Sequence, residues 1–280
     1  MITPQAISLS AGAGRLHRHA DFQSRFVPAR NVDVWLPPNY AAANRYPVLY
    51  MHDGQNLFLP GYSYDGVPWE AHLAAAQLIE TGVIPGVIIV GVWHVGANRW
   101  GEYLPQKPAA TPHGRAFAAR FPDRQPGTIH SDAYLRFLVE ELKPFMDAQY
   151  QTRPDQPHTC VMGSSMGGLI SLYAICEYPQ VFGGAGCVST HWPAGENMLV
   201  DYFGAALPDP IDHKLYFDYG TETLDADYEP YQLRMDERLA ARGYERDQNW
   251  VTRKFPGAEH SEVAWRARVR IPLEFLLGSA

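Results

Sequence analysis

Cysteine is scarce in this chain, with three among 280 residues, at Cys160, Cys176 and Cys187. An odd count without close spacing argues against a disulfide framework and against a zinc site. Each sits in an apolar stretch, so the three read as small buried hydrophobes. No run approaches the roughly 20 apolar residues of a membrane span. Positive charge is also short: 23 Lys and Arg stand against 30 Asp and Glu, a formal net charge of −7. That balance lacks the basic face nucleic-acid binding normally needs. Repeats and low-complexity tracts are missing. Met1 to Gly14 has no basic region followed by an apolar stretch, so no secretory signal is visible and a cytoplasmic protein is expected. His17 and His19 alternate on an early strand, and an isolated pair is no convincing metal site.

What is present suits one large core. Hydrophobic residues make up 46% and charged residues 19% of the chain, which fits a single α/β domain over residues 1–280. Arg15 to Ser24 and Asn31 to Leu36 read as paired early strands. Tyr46 to Met51 and Val87 to Val92 are continuous apolar runs, the mark of strands buried on both faces. Further strands are expected at Phe182 to Val188, Lys214 to Tyr219 and Trp250 to Phe255. Helices are expected from about Trp69 to Glu80, after Ser131 as cap, from about Pro230 to Arg242, and from near Ser261 with a break at Pro272. Residues 96–128 carry five prolines and little periodicity, and read as a Pro-rich loop insertion. Strands alternating with helices imply a mostly parallel sheet covered on both faces, with chemistry at the carboxyl ends of its strands.

One stretch carries a chemical signature. Cys160 to Gly168 runs from an apolar strand into Gly163-Ser164-Ser165-Met166-Gly167, and an apolar helical stretch follows. This strand–turn–helix context is what the nucleophile elbow of an α/β-hydrolase requires. Only Ser165 has glycines at both required flanks, where a side chain is expected to clash. A serine nucleophile needs a histidine base, and the histidine needs an acid; in this fold they follow in the order serine, acid, histidine. Of eleven histidines, only His260 follows the strand that should carry the acid. Three carboxylates follow that strand. Asp225 is favoured by its place in the loop, Glu222 is the alternative, and Asp227 suits the first turn of the next helix. The oxyanion donors are expected from the N–H groups of Met166 and of Gln55 in His52-Asp53-Gly54-Gln55. No metal or cofactor is needed.

Tyr50-Met51-His52-Asp53-Gly54-Gln55-Asn56-Leu57-Phe58, the Gly163 to Gly168 elbow and Gly257-Ala258-Glu259-His260-Ser261 together resemble the putative-esterase family of α/β-hydrolases. That family includes feruloyl and acetyl-xylan esterases, enterochelin esterases and the antigen 85 mycolyltransferases. The resemblance implies Ser165 as nucleophile, His260 as base and the N–H groups of Met166 and Gln55 as oxyanion hole. It leaves the acid open.

The expected activity is serine carboxylic-ester hydrolysis, on small-molecule or saccharide esters, with an acyltransferase or a siderophore esterase as alternatives. A hydrolase fold retained only for binding is disfavoured, because no triad member is missing. Aromatic residues crowd the expected loops at the strand ends: Tyr62, Tyr64, Trp69, Trp93, Trp100, Tyr103 and Trp192. They suggest a cleft for a sugar ring or an aromatic acyl group, with Trp93 and Trp192 beside the nucleophile. Arg99 is read as an anion-binding group or as the partner of Glu102.

Overall fold

A computed structural model of the chain describes residues 4–119 and 128–278. These residues contain a nine-stranded sheet: β1 (Gln5–Ile7), β2 (Arg15–Phe22), β3 (Arg30–Leu36), β4 (Val48–His52), β5 (Ile88–Val92), β6 (Thr159–Ser164), β7 (Gly184–Val188), β8 (Lys214–Tyr219) and β9 (Trp250–Lys254). Their order across the sheet is β1-β2-β3-β5-β4-β6-β7-β8-β9. The pairings among β1, β2, β3 and β5 are antiparallel, and those from β5 through β9 are parallel. β4 and β5 are buried along their whole length, as their unbroken apolar runs demand.

Alternate side chains feed two cores, one on each face. On β4, Val48 and Tyr50 join Val161, Leu169 and Phe217, whereas Leu49 and Met51 join Met162, Tyr216 and Trp265. The helix Met166–Glu177 is buried along its first ten residues. Such a helix, apolar on every side, must itself be covered, and each fully buried Leu or Ile there contributes about 1.5–3 kcal/mol. No helix among the described residues is long and apolar enough to cross a membrane.

Three local expectations need correction. Ser131 begins its helix instead of capping it, and its Oγ accepts the Gln106 N–H at 2.9 Å. The C-terminal helix divides at Val269 into Glu262–Arg268 and Arg270–Leu277, so Pro272 lies in a first turn, where its missing N–H costs nothing. The segment read as a loop insertion holds short helices at Arg99–Tyr103, Gln106–Ala109 and Pro112–Ala119; its residues 120–127 lie outside the described residues. Glu102 anchors that segment from the fully buried side, because both its oxygens accept from Arg30 of β3, at 2.6 and 2.9 Å. A contact 72 residues away leaves no periodic trace.

The register explains where chemistry gathers. Ser164 pairs with Val188, Val188 with Asp218, and Tyr219 with Lys254, so the parallel strands end level with one another. The turns after β4, β6, β7, β8 and β9 therefore emerge on one edge of the sheet.

Candidate active site

Ser165 sits immediately after β6, at φ 59° and ψ −121°, a conformation non-glycine residues rarely adopt. Its carbonyl accepts the N–H groups of Gly168, at 3.0 Å, and His191, at 3.1 Å, and its own N–H donates to Val188 at 2.9 Å. The elbow is thus fastened to the turn after β7. A Cβ on Gly163 would stand 2.9 Å from the Gly167 backbone, so glycine is required there. At Gly167 the expectation of a clash fails, since a Cβ there would meet nothing nearer than Asp53 Oδ2 and His52 Cβ at 3.5 Å. The second tight position is Gly168, 2.9 Å from Thr190 Oγ1 by the same measure.

Two loops bring Asp225 and His260 together. Thr221 and Glu222 donate their N–H groups to Ala258, and Thr223 Oγ1 accepts the His260 N–H at 2.9 Å. His260 Nδ1 then donates to Asp225 Oδ1 at 2.6 Å. Asp225 is buried, and its Oδ2 accepts from the Gly220 N–H and the Ser189 hydroxyl, each at 2.6 Å. Burial opposes ionisation of Asp225, but bonds from His260, Ser189 and Gly220 outweigh it and hold the carboxyl below its usual range. Glu222 and Asp227 are exposed. The His260 ring is boxed by Trp265 at 4.9 Å and Tyr228 at 5.7 Å, both edge-on, with the His191 ring at 6.4 Å. Among the described residues, the Ser165 hydroxyl makes no hydrogen bond.

The turn after β4 faces the elbow from the other side. Asp53 is held at φ 55°, and Gly54–Asn56 forms a single 3₁₀ turn. Its Gln55 and the first helical residue Met166 both precede any intrahelical acceptor, so their N–H groups point outward unpaired by their own helices. Arg99 clamps the turn, with Nε and Nη2 donating to the two Asp53 oxygens at 2.7 Å each. Arg99 accordingly pairs with Asp53 and not with Glu102. Burial disfavours both charges, yet each partner favours the other's ionisation, so Asp53 is lowered and Arg99 raised.

The aromatic residues divide. Trp69, Tyr103 and Trp192 are buried, and Trp192 stacks on Phe217 while its indole N–H reaches Gln232 at 3.2 Å. Trp192 therefore belongs to the core, not to a substrate cleft. Trp93 is half-buried, with its N–H on Asp33 at 3.0 Å and its ring against the Arg18 guanidinium. The Tyr62 ring packs beside it on the same guanidinium, with its centroid 5.2 Å from that of Trp93, and Tyr62 and Tyr64 are exposed. Ser189, Tyr228, Trp265 and Arg268 were invisible to spacing rules, although Arg268 lies three residues after Trp265 on the apolar side of a helix.

The profile of the family described as "Putative esterase" matches residues 25–270. Among curated proteins of Bacillus subtilis, the chain is 27% identical over 185 residues to the uncharacterized protein YbbA, covering 64% of this chain and 62% of YbbA. It is 30% identical over 152 residues to the ferri-bacillibactin esterase BesA, covering 52% of this chain and 49% of BesA. The match thus spans about half to three-fifths of these relatives' length. Among solved structures, a ferulic acid esterase superposes with a TM-score of 0.68 at 17% identity, covering 94% of this chain and 97% of its own. That degree of likeness identifies the α/β-hydrolase fold.

Proposed function

Because the chain belongs to the putative esterase family, we propose that it is a serine carboxylic-ester hydrolase with Ser165 as nucleophile, His260 as base and Asp225 as acid. The observation that carries this reading is the 2.6 Å bond between His260 and the buried Asp225, on the sheet edge that also carries Ser165 at φ 59°. Asp225 holds the proton on His260 Nδ1, leaving Nε2 to take the Ser165 proton as Oγ attacks the ester carbonyl. Negative charge then develops on the carbonyl oxygen between the N–H groups of Met166 and Gln55. Collapse passes the proton from His260 to the leaving alcohol, and water repeats the sequence on the acyl-enzyme.

The substrate class we favour is an acyl ester of a carbohydrate or similar polar alcohol. A siderophore ester is the second reading, favoured by the similarity to BesA. In both readings the exposed Tyr62 and Tyr64, with the half-buried Trp93 and Trp100, offer aromatic surface to a ligand. A fluorophosphonate probe tests the chemistry: it should label folded wild-type protein at Ser165 and leave Ser165→Ala unlabelled. Absence of labelling in folded wild type defeats the reading. Screening acetylated and feruloylated saccharides against catecholate siderophore esters separates the substrate classes.

A further inference from the structure

Behind Asp225 lies a buried polar network that the reaction above does not use. Arg268, 4% exposed, donates to both oxygens of Asp218, from Nε at 3.2 Å and from Nη2 at 3.0 Å. The same Nη2 donates to Ser189 Oγ at 2.8 Å and stands 3.9 Å from Asp225 Oδ2. The Trp265 indole N–H also donates to Ser189 Oγ, at 3.0 Å. A hydroxyl has one proton and two lone pairs. With both lone pairs occupied, the Ser189 proton is directed at Asp225 Oδ2, 2.6 Å away. Ser189 adopts φ 41°, and its N–H is held by Asp218. Such a conformation persists only where the surroundings enforce it.

The electrostatics point the same way. A guanidinium is always charged, so with Asp218 and Asp225 ionised the network carries one net negative charge. Around His260 stand Asp225, the Tyr228 ring, the His191 ring and Glu262. Arg268 also holds down the Asp218 carboxyl, which burial raises, so neutralising Arg268 adds negative charge behind the imidazole, and stabilises its protonated form, to the extent that Asp218 stays ionised.

Resting on the triad reading above, we propose that Arg268, acting through Ser189 Oγ, is a positioning residue that aims the Ser189 hydroxyl at Asp225 and limits how tightly His260 holds its proton. A merely structural Arg268 would change stability without moving the His260 titration. The test is an NMR titration of His260 in wild type, Arg268→Gln, Arg268→Lys and Ser189→Ala, with the pH profile of aryl-acetate hydrolysis measured beside it. In Arg268→Gln the midpoint and the acid limb of kcat/KM should rise by about one pH unit, and Arg268→Lys should restore both. Ser189→Ala, which keeps the Arg268–Asp218 pair, should lose about tenfold in kcat with KM within about twofold. A folded Arg268→Gln with the wild-type midpoint overturns the proposal. Should that variant not fold, wild-type kcat in Ser189→Ala overturns it instead. The titration needs no turnover, so an inactive wild type whose His260 still responds to Arg268 defeats the hydrolase reading and not the electrostatic link.

Discussion

Asp225 presents one carboxylate oxygen to each side of the site: Oδ1 accepts from His260 at 2.6 Å, and Oδ2 accepts from Gly220 and Ser189. Every donor reaches it from a different loop or strand end, so the histidine is oriented by three segments of chain at once.

The proposed role of Asp225 as acid rests on that relationship. Asp225→Asn should lower kcat for an aryl acetate by about 10⁴-fold, because the amide would turn the imidazole to the wrong tautomer. Glu222→Gln, at an exposed position, should stay within about twofold. Steady-state kinetics on both variants decides it, and the reverse pattern would reassign the acid to Glu222.

The glycines of the elbow should not behave alike. Gly163→Ala forces a methyl group to 2.9 Å from backbone atoms of Gly167, and should cost about 1–3 kcal/mol. Gly167→Ala meets only ordinary contacts at 3.5 Å and should unfold close to wild type. Thermal unfolding of the two single variants makes the comparison.

Trp192 acts through stability. Its buried ring is stacked on Phe217, so Trp192→Ala should cost about 3–5 kcal/mol, while Trp192→Phe retains most of it. Urea unfolding measures both. A large change in KM with unchanged stability would return Trp192 to the substrate cleft.

The Asp53–Arg99 clamp gives a pH dependence with a definite sign. The folded carboxyl of Asp53 lies below the unfolded value of about 3.9. Its contribution is therefore complete above that pH and lost as pH falls through the folded value. The stability gap between wild type and Asp53→Asn/Arg99→Met should hold from pH 7 to about pH 4 and narrow below it. Urea midpoints measured from pH 7 down to about pH 2 check it, and a gap that stays flat below pH 4 would show that the Asp53 charge contributes nothing.

Glu262 has the opposite sign. Burial, with the nearby Asp65 and Asp53 charges, raises its carboxyl above the usual range, while its Oε1 accepts from Asn56 at 3.3 Å. The folded state favours the protonated form, so stability is greatest below the unfolded value and declines as pH rises through the folded one. Glu262→Gln should be more stable than wild type at pH 7, with the difference fading towards pH 4. Thermal unfolding at the two pH values checks it.

By itself the sequence determined the elements whose signal is local. Unbroken apolar runs marked β4 and β5, the Gly-x-Ser-x-Gly turn marked the elbow, and chain order singled out His260 among eleven histidines. Each of these is written in neighbouring residues or in their order. The partners of the charged side chains were decided only by tertiary structure. Arg99 lies three residues before Glu102 yet pairs with Asp53, while Arg30 holds both oxygens of Glu102. Trp192 entered the core and Tyr62 stayed outside. A buried charge or ring is settled by whatever the fold places against it, and the strand register that makes Ser164, Val188 and Asp218 neighbours exists only once the sheet has formed.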